Sequence, residues 1–159
     1  MKPIKLQNRK AFTMLELTFV IVIIGILSAV AIPKFAMNRD DAVIAKAKNT
    51  VAAVRNSVAT ERQKRILRGK FKKIGSLAVN GNYGVPIFDY FDDNTSRVLE
   101  YPLTSCADSS ARSCWKRVTK TTYLYKMPLS GKVTFTLLNN RFDCALTGNT
   151  AKYCKQLTQ

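Results

Sequence analysis

Between Phe12 and Ile32 the chain carries an apolar stretch in which Glu16 is the sole charged side chain. Coiled as an α-helix it rises about 31 Å, close to the roughly 30 Å hydrocarbon thickness of a bilayer. A helix of that length and composition spans a membrane, and whatever follows it must fold on the far side. Ahead of it stand Lys2, Lys5, Arg9 and Lys10 with no acid among them, which by the positive-inside rule holds the amino terminus in the cytoplasm. Glu16 is the anomaly. A carboxylate at bilayer depth costs about 2.5 to 3.5 kcal/mol on insertion scales, so it calls for a partner or a function.

A short basic leader, the small residue Ala11, and then Phe12-Thr13-Met14-Leu15-Glu16-Leu17 opening an apolar helix resembles the type IV prepilin family, which includes the type II secretion pseudopilins. The resemblance implies cleavage between Ala11 and Phe12 by a prepilin peptidase and N-methylation of Phe12. It also implies that Glu16 is an assembly residue. Cleavage leaves a positive α-amine on Phe12, and a carboxylate at similar depth in a neighbouring subunit neutralises it where Coulomb attraction is weakly screened. Such a pair sets registry more reliably than it adds total stability. Three alternatives stand beside this. Glu16 near a helix amino terminus also interacts with the macrodipole, for about 0.3 to 1 kcal/mol. Ala29-Val30-Ala31 reads as an ordinary signal-peptidase site, and an uncut leader would leave a plain single-span anchor.

Helical periodicity continues beyond Pro33. Ile44, Ala47, Val51, Val54 and Val58 recur at spacings of three and four, one stripe of an amphipathic helix. Pro33 predicts a kink or local loosening rather than termination, and Gly69 a stop. The expected helix, from about Thr13 to about Arg68, is roughly 80 Å long. After Gly69 short strand patterns appear at Ile74 to Ala78, Val85 to Tyr90 and Val98 to Tyr101, separated by Asn80-Gly81 and Asp92-Asp93-Asn94 turns. The later pattern is clearer: Thr122 to Lys126, a Ser130-Gly131 turn, Lys132 to Leu138, an Asn139-Asn140 turn and Arg141 to Ala145 predict a three-stranded antiparallel meander. Val133, Phe135 and Leu137 alternate with Thr134 and Thr136, which gives one buried face and one wet face. The fold class is α+β, a long amino-terminal helix packed on a small antiparallel sheet, pilin-like. Its segments are a leader (1–11), a transmembrane and assembly helix (12–33), and the helix continuation with a disulfide-bonded head (34–159).

Cys106, Cys114, Cys144 and Cys154 all fall in the carboxy-terminal third, and the chain has no histidine. Their spacings lack the C-x-x-C knuckles of zinc sites. The inferred topology places them in an oxidising compartment, so disulfides are expected. Of three connectivities, Cys106 with Cys114 and Cys144 with Cys154 are the most local, each loop contributing about 2.5 kcal/mol. Sequence leaves the pairing open.

The net charge is +16, and +12 remains once the four positive residues of the leader are removed. Arg62, Lys64, Arg65, Arg68, Lys70, Lys72 and Lys73 form the densest cluster, with Glu61 as the local counter-charge. Three explanations compete: complementing the helix carboxy terminus, a membrane-surface patch, or a partner such as DNA or an acidic protein. The second is weak, because a continuous helix puts Arg62 roughly 43 Å past Pro33. Tyr83, Phe88, Tyr90, Phe91, Trp115, Tyr123 and Tyr125 lie in the same half of the chain. They are candidates either for stacking on single strands or for core.

Without histidine the Ser-His and Cys-His nucleophile arrangements are excluded, and no P-loop, G-x-G-x-x-G or G-x-S-x-G pattern occurs. Catalysis is not expected, nor is a cofactor. Calcium at Asp89, Asp92 and Asp93 is the single metal site worth weighing, by resemblance to secretion pseudopilins, but the spacing is not that of an EF-hand. A turn rich in Asp and Asn explains it equally. The expected role is a structural subunit, polymerising with like or related subunits through its helix, in the bacterial inner membrane with the head in the periplasm and extruded as a filament grows. A pseudopilin of a secretion or transformation system is the favoured form. A surface type IV pilus is the alternative, and a membrane-tethered module binding DNA or another polyanion is the rival of a different class.

Overall fold

The computed structural model describes residues 12–92 and 96–159, apart from the side chains of 33–38. The basic leader with Ala11, and Asp93 with its turn, lie outside the described residues. The chain divides into two units, residues 1–39 and 40–159.

Helix α1 runs Met14–Leu67. It opens on Thr13, whose hydroxyl accepts the amide of Glu16 at 3.2 Å while the Thr13 carbonyl accepts Leu17 N–H at 3.1 Å. Thr13 is thus an N-cap that satisfies an otherwise orphan donor, with Glu16 at the third helical position. The stretch Met14–Ile32 is long and apolar enough to cross a membrane and buries none of itself within the chain. Helical structure is assigned continuously through position 33. The other end is closed at Gly69, φ +70°. Gly69 N–H bonds to Ile66 O at 2.9 Å and Lys70 N–H to Arg65 O at 2.8 Å, the paired bonds of a Schellman motif, for which a left-handed residue is needed.

In the second unit Ala47, Val51, Val54 and Val58 are all buried, Val54 fully. They share one core with the inner face of a four-stranded antiparallel sheet. Its strands are β3 Cys114–Arg117, β4 Thr122–Lys126, β5 Lys132–Leu138 and β6 Arg141–Cys144, in that order. In β5 Val133, Phe135 and Leu137 point inward and their neighbours outward. Asn139 and Asn140, φ +51° and +59°, make the two-residue turn from β5 to β6. Two positive φ values match the type I′ twist that such hairpins require. Their side chains are used as well: Asn140 Oδ1 accepts Ile74 N–H and Asn139 Oδ1 accepts the Lys73 amine, each at 2.8 Å. Aromatic rings fill the interior. Phe88 meets Trp115 edge-on at 5.2 Å, and Phe135 stacks on Phe142 at 5.0 Å.

Three strand expectations are corrected. Ile74 to Ala78 is irregular, because its buried amides are taken by side chains instead of a neighbouring strand: Leu77 N–H donates to Tyr123 Oη at 2.7 Å and Ala78 N–H to Ser76 Oγ at 3.3 Å. Val85 to Tyr90 shrinks to β1 Pro86–Ile87, paired with β2 Leu103–Thr104. Val98 to Tyr101 forms no strand, since Val98 and Leu99 N–H bond singly to Asp89 O and Phe88 O. Three elements fall outside every expected one: β2, β3, and helix α2 Ala151–Thr158, which buries Cys154 and Leu157.

Cys106 is bonded to Cys114 and Cys144 to Cys154. The second bond ties α2 to β6. Gly131, φ +92°, faces the ring of Tyr153 in α2, and a Cβ there would come within 2.6 Å of the ring. Gly131→Ala is therefore expected to destabilise the head by about 1 to 3 kcal/mol through overpacking, with backbone strain added. Urea unfolding of the full chain measures this, and the effect should shrink in the Tyr153→Ala background.

Candidate functional site

The amino-terminal unit presents Phe12 and Glu16 on exposed positions, Phe12 at 81% accessibility. Apolar side chains at Leu15, Phe19, Ile23 and Ile26 are likewise uncovered. Such a surface needs lipid or other helices around it, and within it Glu16 is the acid. The N-cap bond from Thr13 involves the Glu16 backbone and leaves its carboxylate to other uses.

The basic cluster does not stay together. Arg65 is buried, 6% exposed, and bonds Glu61 at 2.9 Å and Asp92 at 2.8 Å. Burial alone would lower its pKa, but the hydrogen bonds and charges of both carboxylates outweigh that and hold it above its usual value. Arg62 donates to the Phe71 and Lys72 carbonyls, and Lys73 to Asn139. Lys64, Arg68, Lys70 and Lys72 remain exposed, their side chains with no hydrogen-bond or ion-pair partner among the described residues. Of the acids considered for calcium, Asp89 accepts Val79 N–H at 3.0 Å and Asp92 is held by Arg65.

The aromatic residues divide in the same way. Phe88, Phe91, Trp115, Tyr123 and Tyr125 are core. Tyr83 and Tyr90 sit nearer the surface, each under a cation, Lys116 at 3.6 Å and Arg97 at 5.6 Å. The buried rings are therefore closed to stacking on bases. Sequence reasoning missed the Arg65–Asp92 link, which joins residues 27 apart. It also missed Arg55, which donates to Phe142 O at 3.0 Å and pairs with Asp143 at 2.5 Å, fastening α1 to β6. A lone arginine on the flank of the apolar stripe, with Val51, Ala52, Val58 and Ala59 one turn away on either side, carries no local signal of such a contact.

A capped, lipid-type helix bearing one acid near its start, with an antiparallel sheet following it in the chain, is a pilin-like architecture. Residues 6–32 match the prokaryotic N-terminal methylation motif, and the amino terminus is of the prepilin type. The chain is similar to the Type IV narrow pilus major component PilA5 of Thermus thermophilus, 49% identical over 53 residues. That similarity covers 33% of this chain and 46% of the relative, so the match spans less than half of the relative's length. No solved structure matches the chain.

Two consequences can be measured. Arg65→Met leaves Glu61, 3% exposed, buried without its partner, and should cost about 3 to 5 kcal/mol in denaturant unfolding. Burial also pushes the Tyr125 hydroxyl up to about 12. Its neutral form is favoured in the fold, so this contribution is full below the unfolded value near 10 and is lost as pH rises toward 12. Wild type should lose about 2 kcal/mol more than Tyr125→Phe between those limits, measured by paired urea unfolding curves.

Proposed function

We propose that the protein is a structural subunit of a pilin-type filament, anchored in the bacterial inner membrane by α1 with its head in the periplasm. A prepilin peptidase cuts between Ala11 and Phe12, Phe12 is N-methylated, and the subunit polymerises with like or related subunits through the Met14–Ile32 surface. The single observation that carries this is the methylation motif over residues 6–32, in register with an apolar helix whose one acid is Glu16. In the filament the Glu16 carboxylate of one subunit faces the Phe12 amine of its neighbour. The favourable charge pairing is available in one register, and that guides incoming subunits. A pseudopilin of a secretion or transformation system and a type IV pilin both fit this chemistry. The name of the similar Thermus protein favours the pilus.

The test has two readouts. Amino-terminal sequencing of the mature protein should begin at N-methylated Phe12; a start at Ile32 or near Met1 rejects the processing. Glu16→Ala should still insert and be cut, yet filament yield should fall by at least about tenfold, while Glu16→Asp retains part of it. Normal assembly of Glu16→Ala rejects the pairing.

A further inference from the structure

One cavity in the head is lined by buried side chains that keep unused polar atoms. It measures about 400 Å³ and lies between α1, β2 and the paired strands β3 and β4. Trp115 and Tyr125 face each other across β3 and β4, their rings 4.9 Å apart, and are 3% and 2% exposed. Neither the indole N–H nor the phenol O–H has a hydrogen-bond partner among the described residues. Among the described residues no side-chain polar atom that is fully closed off is left unsatisfied, so both atoms keep some open surface, and both residues line this cavity. Most buried indoles and phenols use that atom on a protein acceptor or donor.

The remaining walls define the chemistry. Lys46 contributes an ammonium with no partner among the described residues, and Ser113 a hydroxyl at the rim. Indole and ammonium can only donate, and the hydroxyls can donate as well. Val43, Ala47 and Leu103 supply an apolar side. One cation surrounded by neutral donors suits a single negative charge with two acceptor oxygens, whereas a phosphate dianion calls for more cationic partners. We propose that this cavity binds a carboxylate carried on a compact apolar body, with Lys46 and the Trp115 indole N–H on its oxygens and Tyr125 completing the set. A free small acid and the terminal residue of a peptide share that chemistry.

Trp115 is the sole tryptophan of the chain, so its indole N–H gives one resonance free of overlap from others. The full-length protein in non-ionic detergent is titrated with N-acetyl-leucine and, separately, with N-acetyl-leucinamide. The acid should move the indole proton saturably, and the amide should leave it in place. Lys46→Gln should weaken the response by at least about tenfold and Tyr125→Phe by roughly threefold to tenfold, with thermal midpoints near wild type. A pentapeptide ending in leucine with a free carboxylate separates the two sources: at least tenfold tighter binding than the free acid identifies a chain terminus, and equal or weaker binding a small molecule. An indole that does not respond, that responds equally to acid and amide, or that responds unchanged in Lys46→Gln overturns the proposal.

Discussion

The head depends on one hydrophobic contact, the stripe of Ala47, Val51, Val54 and Val58 on α1 sharing a core with Tyr123, Phe135 and Phe142 of the sheet. A four-stranded sheet with one apolar face cannot remain open in water, and a helix with one apolar stripe has the same difficulty. Each supplies the cover the other lacks. Polar contacts then fix the relation: Arg55 holds the last strand, and Arg65 draws Asp92 to the end of the helix. The pairing of Arg65 with Glu61 and Asp92 adds little net energy in such a place, since desolvation offsets most of the attraction, but it allows few alternative positions for the loop bearing Asp92.

Each edge of the sheet has a main-chain carbonyl bonded within the chain. Beside β3, the Trp115 carbonyl accepts Cys106 N–H at 2.8 Å, while Arg117 donates to the Ala78 and Val79 carbonyls and Lys116 to Gly81. At β6, Arg55 takes the Phe142 carbonyl. One main-chain carbonyl of each edge strand, Trp115 on β3 and Phe142 on β6, is thus taken within the chain, and the cationic side chains of Lys116 and Arg117 lie along the first of these edges, a disposition that discourages pairing with a foreign strand.

Much of this was legible in the chain. The meander from Thr122 onward declares itself through strict alternation in β5 and the Asn139-Asn140 turn, and the stripe on α1 through spacings of three and four. What stayed hidden depends on distant partners. Ile74 to Ala78 looks like a strand because its apolar residues are buried, yet its amides are met by Tyr123 and Ser76 side chains. Strand β3 is four residues long and α2 eight, too short for periodicity to stand out. The basic run between Arg62 and Lys73 looks uniform in sequence and is divided by the fold, since Asp92 lies close in space to Arg65 and far along the chain. The same holds for Trp115 and Tyr125. The sequence left them open between core and base stacking, and the freedom of their polar atoms is a property of what the neighbouring loops fail to supply.

The two disulfides acquire another meaning if the subunit bears load. A chain pulled from its ends lengthens by the contour of whatever unfolds, about 3.4 Å for each residue released. The bonds remove spans of 8 and 10 residues from that path, so the fully extended head is shorter by roughly 50 Å. The second bond also keeps α2 from being peeled from β6 as a separate flap. Traction on such a head meets a shorter, stiffer tether, and the carboxy-terminal third returns to its fold with both loops already closed.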